Sequence, residues 1–169
     1  MKLLLTGEPH AGKSTLLTSL LQNIDNKQGF ITSEVAKDGQ RTGFELVSAE
    51  GPRALLADIH SSSEKRVSRY GVNVDSLNEF IDKLPEINTD ALLYIDEIGQ
   101  MQLFSDKFQK LAATYIDSGN DFIGTVSKVY NHEFIDELKN NEEIEIIEVT
   151  PTKRDQLFID ILARLKQPT

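Results

Sequence analysis

The chain of 169 residues contains no cysteine and no tryptophan. Without thiols there can be no disulfide, no zinc–thiolate site and no thiol nucleophile. Only three histidines occur, and His10, His60 and His132 lie too far apart in sequence for a histidine metal motif. Cations are scarce as well: 18 Lys and Arg against 27 Asp and Glu leave a formal net charge of −9. A broad nucleic-acid surface needs clustered Lys and Arg, so that class of partner is disfavoured. A small phosphate ligand needs only a few donors and is compatible with this charge. No window approaches the ~20 apolar residues of a membrane span. The N-terminal "MKLLLTG" has neither the length nor the cleavage site of a signal peptide. A cytoplasmic protein with no membrane partner is therefore expected.

No repeat, low-complexity tract or Pro/Ser-rich linker divides the chain, so residues 1–169 read as one domain around one core. "KLLLT" reads as a short buried strand. Leu16, Leu17, Leu20, Leu21 and Ile24 follow at helical spacing. "FITSEVA" and "RTGFELVS" flank Asp38-Gly39, a strong hairpin signal, and "AEGP" turns the chain again before "RALLADI". Leu77, Phe80, Ile81 and Leu84 form a helix that Pro85 stops. "ALLYID" is an apolar strand ending in acid, followed by a helix around Leu103 to Ile116. The strand "DFIGTV", a helix near "NHEFIDELKN", the strand "EIEIIEV" and a last helix carrying Leu157, Phe158, Ile161, Leu162 and Leu165 complete the chain. Buried strands alternating with amphipathic helices predict an α/β fold: a mainly parallel sheet covered on both faces and extended at one edge by an antiparallel meander.

The stretch "GEPHAGKST" sits between the first strand and the first helix. Gly7, Gly12, Lys13 and Ser14 fit G-x-x-x-x-G-K-[ST], with Glu8, Pro9, His10 and Ala11 at the variable positions and Thr15 next. The glycines let backbone N–H groups turn inward at phosphate oxygens. Lys13 supplies a point charge, Ser14 a hydroxyl for Mg²⁺, and the helix N-terminus partial positive charge. The context of strand, loop and helix makes this a phosphate-binding loop. His10 is read first as a solvent-facing loop residue.

"LLYIDEIGQM" places Asp96 and Glu97 at the end of a buried strand, where open α/β sheets bind their ligands. Asp96 suits the metal side, and Glu97, on the other side of the strand, suits polarising a water. Thr125 and Ser127 end another strand and are equally candidates for the γ-phosphate or for capping the next turn. "EKRVSRYGV" gathers Lys65, Arg66 and Arg69. An arginine from this segment could stabilise developing phosphate charge, although a solvated surface cluster is the plainer reading. Arg41 and Arg154 are weaker candidates. Phe44, Tyr70 and Tyr130 could stack on a base but are read first as packing.

With these residues in view, the chain resembles the small nucleoside-triphosphatase family first known from thermophiles, of nucleotide phosphatase/kinase type. The resemblance runs over nearly the whole length, through the phosphate loop, "GFITSEVAKDGQRTGFELV", "KRVSRYGV", "YIDEIGQMQLFSDKF" and "KRDQL". It implies a three-layer α/β/α, RecA-like P-loop domain that hydrolyses ATP, GTP and other nucleoside triphosphates slowly, with Mg²⁺ and little base preference. It also implies that Gly12, Lys13, Ser14 and Thr15 hold phosphate and metal, that Asp96 and Glu97 are the metal-side acid and the water-activating base, and that Arg66 and Arg69 lie near the phosphates. His10 and Ser68 stand where the family usually has glycine, and Lys153 where it usually has asparagine. The competing readings are a nucleotide or small-molecule kinase on the same loop, and a nucleotide-controlled binding module. No protein partner can be named from the sequence.

Overall fold

In the computed structural model, which describes residues 1–167, all strands join one nine-stranded sheet. Residues 168 and 169, counted in the expected domain, lie outside the described part. The strands are β1 (Lys2–Gly7), β2 (Lys27–Lys37), β3 (Gln40–Ser48), β4 (Arg53–Asp58), β5 (Arg66–Val67), β6 (Tyr70–Val72), β7 (Leu92–Ile98), β8 (Phe122–Ser127) and β9 (Glu145–Glu148). Their order is β5-β6-β4-β3-β2-β7-β8-β1-β9. From β2 to β9 the pairings are parallel. From β2 outward to β5 they are antiparallel. β2 therefore belongs to both halves.

The helices are α1 (Lys13–Leu21), α2 (Val74–Asp82), α3 (Asp106–Asp117), α4 (Glu133–Asn140) and α5 (Arg154–Leu165). α1 and α5 cover one face, where Leu16, Leu17, Leu20 and Ile161 pack on Leu3, Leu5 and Ile123. α2, α3 and α4 cover the other, where Leu77, Phe80, Phe108, Ile135 and Leu138 pack on Phe30, Leu93 and Ile95. The result is the expected three-layer α/β/α architecture. Each such fully buried side chain contributes about 1.5–3 kcal/mol of transfer free energy, so both faces are strongly specified. No helix among the described residues is long and apolar enough to cross a membrane.

Three local features depart from the sequence reading. The stretch from Leu103 to Ile116 is not one helix. A 3₁₀ turn (Gln102–Phe104) precedes α3, and Ser105 Oγ caps α3 by accepting from the Phe108 N–H at 3.0 Å. β5 and β6 form an extra hairpin inside "KRVSRYGV", too short to leave a periodic pattern. In the β2–β3 ladder, the Asp38-Gly39 turn has positive φ at both residues (51° and 76°), as a two-residue hairpin requires. A register shift follows it between Val35 and Ala36, so that Gly43 faces Val35 while Arg41 faces Ala36.

Candidate active site

The phosphate loop joins β1 to α1, and its geometry is set by the backbone. Gly12 takes φ 98°, a left-handed conformation, as the residue before α1. α3 and α4 have their first N–H groups capped by Ser105 Oγ and His132 Nδ1, whereas α1 has no side-chain cap. Its first-turn N–H groups remain available to an anionic ligand. Lys13 Nζ crosses the loop, donating to the carbonyls of Gly7 at 3.0 Å and Glu8 at 3.1 Å.

A cavity of about 720 Å³ opens over the C-terminal edge of the sheet. Pro9, His10, Gly12, Lys13, Ser14 and Thr15 line its phosphate-loop end, and Asp96, Glu97 and Ser127 line its centre. Glu8 and Ala11 instead join Pro9 and His10 around a smaller cavity of about 150 Å³ shared with the segment Glu148 to Pro151. Gly7 lies in contact with that segment, since a Cβ there would stand 2.6 Å from the Val149 carbonyl oxygen. His10 is in the left-handed region with φ 63°.

Asp96 is buried, and its Oδ1 accepts from Ser14 Oγ at 3.0 Å and from the fully buried Thr125 Oγ1 at 2.6 Å. Its Oδ2 accepts no hydrogen bond among the described residues. One carboxylate beside one hydroxyl, both oxygen donors, fits Mg²⁺, which usually completes its shell with water and substrate phosphates. No group of three or more His, Cys, Asp or Glu that could hold a metal ion occurs among the described residues. Thr125 thus anchors Asp96 from behind, while Ser127 reaches the cavity itself.

Strand alternation would send Asp96 and Glu97 to opposite faces. Here the β7–β8 ladder is interrupted between Ile95 and Ile98, and both acids line the same cavity. Burial raises the pKa of each, and the neighbouring Asp96 charge raises that of Glu97 further; Lys13 pulls both down. A raised pKa makes Glu97 the stronger proton acceptor. Its carboxylate is cradled by Gly99, where a Cβ would stand 2.8 Å from Glu97 Oε1 and 2.9 Å from Gln102 Oε1. Gln102, 2% exposed, is held in turn by Nε2 donating to Thr32 Oγ1 at 3.0 Å. Neither Gly99 nor Gln102 was singled out from sequence; the glycine two residues after the acid pair was the available signal.

The arginines sort differently in space than in sequence. Arg66 and Arg69 do not line the cavity, although Val67 between them does. Arg66 donates to the Ser61 and Arg69 carbonyls, and Arg69 to the Arg41 carbonyl and the Tyr70 hydroxyl. Arg154, at the start of α5, lies on the phosphate loop: a Cβ on Gly12 would stand 3.0 Å from its Cδ and 3.4 Å from its Nη1. Of the three aromatic candidates, Phe44 and Tyr130 line the cavity, and Tyr70 is buried behind Phe44.

Known proteins show the same pattern. A family model described as NTPase matches residues 2–162. The nucleoside-triphosphatase THEP1 of Thermotoga sp. (strain RQ2) is 36% identical over 168 residues, covering 98% of this chain and 96% of its own. The crystal structure of THEP1 from the hyperthermophile Aquifex aeolicus superimposes with a TM-score of 0.87 at 32% identity, covering 99% of this chain and 100% of that one. The solution structure of a human cancer-related nucleoside triphosphatase does so with a TM-score of 0.80 at 27% identity, covering 98% and 97%. With the match extending through the phosphate loop, the acid pair and α5, this chain belongs to the NTPase family.

Proposed function

We propose that the chain hydrolyses nucleoside triphosphates to the diphosphate and phosphate, with Mg²⁺ and with broad base specificity. The observation that carries this reading is the convergence of Lys13, the Ser14–Asp96 pair and Glu97 on one cavity. In P-loop enzymes the loop backbone and its lysine hold the β- and γ-phosphates, and the remaining work is positioning and charge neutralisation. Here the N–H groups of α1's first turn and the Lys13 ammonium take the phosphate oxygens. Ser14 and Asp96 would hold Mg²⁺, which neutralises charge on the β- and γ-oxygens when bound. Glu97 accepts the proton of a water placed in line with the γ-phosphate, and Gly99, with no side chain, leaves its carboxylate room for that task. Arg154 is the arginine we assign to the phosphates. Arg66 and Arg69 could take that role only by releasing their carbonyl acceptors. ATP and GTP are the substrates to test first.

Single-turnover release of phosphate from Mg·ATP and Mg·GTP tests the proposal. Wild type should release phosphate without any acceptor, and Glu97→Ala should bind nucleotide without cleaving it. A wild-type protein that binds nucleotide but forms the diphosphate only when an acceptor is added, with no free phosphate, would overturn hydrolysis. The kinase reading draws on one observation: the cavity continues past Glu97 to Thr32, Glu34, Phe44 and Val67, farther than one attacking water requires.

A further inference from the structure

The turn that follows β7 brings a second side chain up to Glu97. The Leu103 N–H donates to the Gly99 carbonyl at 3.0 Å, which folds the chain back into the 3₁₀ turn directly after the strand. Gln102 is carried inward by that turn. It is 2% exposed, yet it lines the same cavity as Glu97. A buried amide is costly unless its polar atoms are bonded. Its Nε2 is satisfied, donating to Thr32 Oγ1 at 3.0 Å, whereas its Oε1 accepts nothing among the described residues. The fully enclosed side-chain atoms without a partner there are Thr6 Oγ1 and the Tyr115 hydroxyl. Gln102 Oε1 is not among them, so it opens on the cavity.

Glu97 Oε1 faces the same spot. A Cβ on Gly99 would stand 2.8 Å from Glu97 Oε1 and 2.9 Å from Gln102 Oε1, so both oxygens converge on the face that glycine leaves bare. They are no farther apart than the sum of those distances, a gap that one small molecule spans by donating to both. Neither oxygen can donate, because an ionised carboxylate and an amide oxygen only accept. A molecule held between them must therefore bring two donor protons. Water has two, and an alcohol has one. The two oxygens also differ in chemistry: the carboxylate is a base, and the amide oxygen holds a proton donor without removing its proton.

Resting on the hydrolysis proposed above, we infer that Gln102 is a second catalytic residue, whose Oε1 holds the attacking water jointly with Glu97 Oε1 and so selects water over an alcohol. The water donates one proton to each oxygen, which leaves a lone pair for the γ-phosphorus. As the water oxygen bonds the γ-phosphorus, the bond to the β-bridging oxygen breaks and its electron pair leaves with the diphosphate. Glu97 takes the first proton, and the second stays on the new phosphate. An alcohol in the same place would satisfy one oxygen, press its carbon on the other and leave a buried acceptor unpaired. The same geometry weighs against the kinase reading.

The test compares wild type with Gln102→Met, which nearly keeps the volume of the side chain and removes its oxygen. Single-turnover cleavage of γ-labelled Mg·ATP is run in water containing methanol, and inorganic phosphate is separated from methyl phosphate. Binding of the non-hydrolysable analogue adenylyl imidodiphosphate with Mg²⁺ is titrated alongside. Wild type should form phosphate almost alone. Gln102→Met should bind the analogue within about twofold of wild type, cleave ~10–100-fold more slowly and raise the methyl phosphate share at least about fivefold. A packing defect would slow cleavage without changing which nucleophile is used. Cleavage within about twofold of wild type, an unchanged methyl phosphate share, or a wild type that already forms methyl phosphate in proportion to the methanol present overturns the role of Gln102. If Gln102→Met fails to bind the analogue, Thr32→Val decides. It frees the amide from its Nε2 anchor and should raise the same share at least about twofold, and an unchanged share overturns the role. A wild type that binds the analogue but cleaves nothing in water overturns the hydrolase reading and this assignment together.

Discussion

The two ends of the cavity are built in opposite ways. At the phosphate-loop end the ligand-facing groups are backbone N–H groups and short side chains on parallel strands, fixed by Gly12 and by hydrogen bonds from Ser14 and Thr125 to one buried carboxylate. At the meander end the lining is made of side chains on antiparallel-paired strands, Thr32, Glu34, Phe44 and Val67. Backbone-built sites tolerate little variation and leave a short contiguous motif. Side-chain-built sites leave residues scattered over several strands, and they can change ligand without changing fold.

The sharpest way to break this division is to remove one group from each half of the chemistry at the first end. Lys13→Ala should abolish detectable nucleotide binding. Glu97→Ala should leave the Kd within a few-fold and lower single-turnover cleavage by ~10²–10⁴, the usual contribution of a general base. Equal loss of binding in both would mean that Glu97 holds nucleotide rather than water. Gly99→Ala comes next. Its backbone is in an ordinary conformation, so the fold should be unaffected, but the new methyl would press on Glu97 Oε1. Displacing a carboxylate by a fraction of an ångström should cost ~10–100-fold in kcat with KM little changed. If kcat is untouched, Glu97 is not held for catalysis by this cradle.

The sequence made the first end legible for a physical reason. A phosphate loop needs specific residue types at consecutive positions, and a buried strand ending in Asp96-Glu97 is costly anywhere but at a ligand edge. The fold followed from the same periodicities, including the Asp38-Gly39 hairpin. What escaped was set by tertiary geometry. The break in the β7–β8 ladder that turns Glu97 into the same cavity as Asp96 has no sequence periodicity. Ser105, caught inside an apolar helical pattern, ends one turn and caps the next helix. Arg154 reaches the phosphate loop only because α5 packs beside α1 on one face of the sheet. Arg41 reaches the Phe44 ring and Glu34 only through a one-residue shift.

The electrostatics of the acid pair sharpen the comparison in stability rather than rate. Burial and the adjacent Asp96 hold the Glu97 pKa above its usual 4.5, so the folded state binds this proton more readily than the unfolded chain does. The resulting stability is fully present below about pH 4.5 and is lost as pH rises through the folded value. At neutral pH the ionised Glu97 is therefore a destabilising residue. Glu97→Gln should melt higher than wild type at pH 7, and the gap should close below about pH 4.5. A gap that persists or widens in acid would show that the carboxylate is stabilised where it sits.

The smallest effect compares two non-glycine residues in the left-handed region, one in the phosphate loop and one in the β5–β6 hairpin. His10 has φ 63° in the phosphate loop, and Ser68 has φ 54° in the two-residue turn between β5 and β6. A side chain in that conformation costs roughly 1–2 kcal/mol, and glycine gives part of this back through its unfolded-state entropy. His10→Gly and Ser68→Gly should each raise stability by about 0.5–1 kcal/mol, read as a denaturant midpoint at unchanged slope. They should differ in function. His10 lines the nucleotide end, so its replacement should also alter the Kd for nucleotide, whereas Ser68 lies outside the cavity lining and should leave it unchanged. If Ser68→Gly shifts nucleotide affinity as much as His10→Gly does, the hairpin beside the meander end is energetically coupled to the phosphate loop and the division fails.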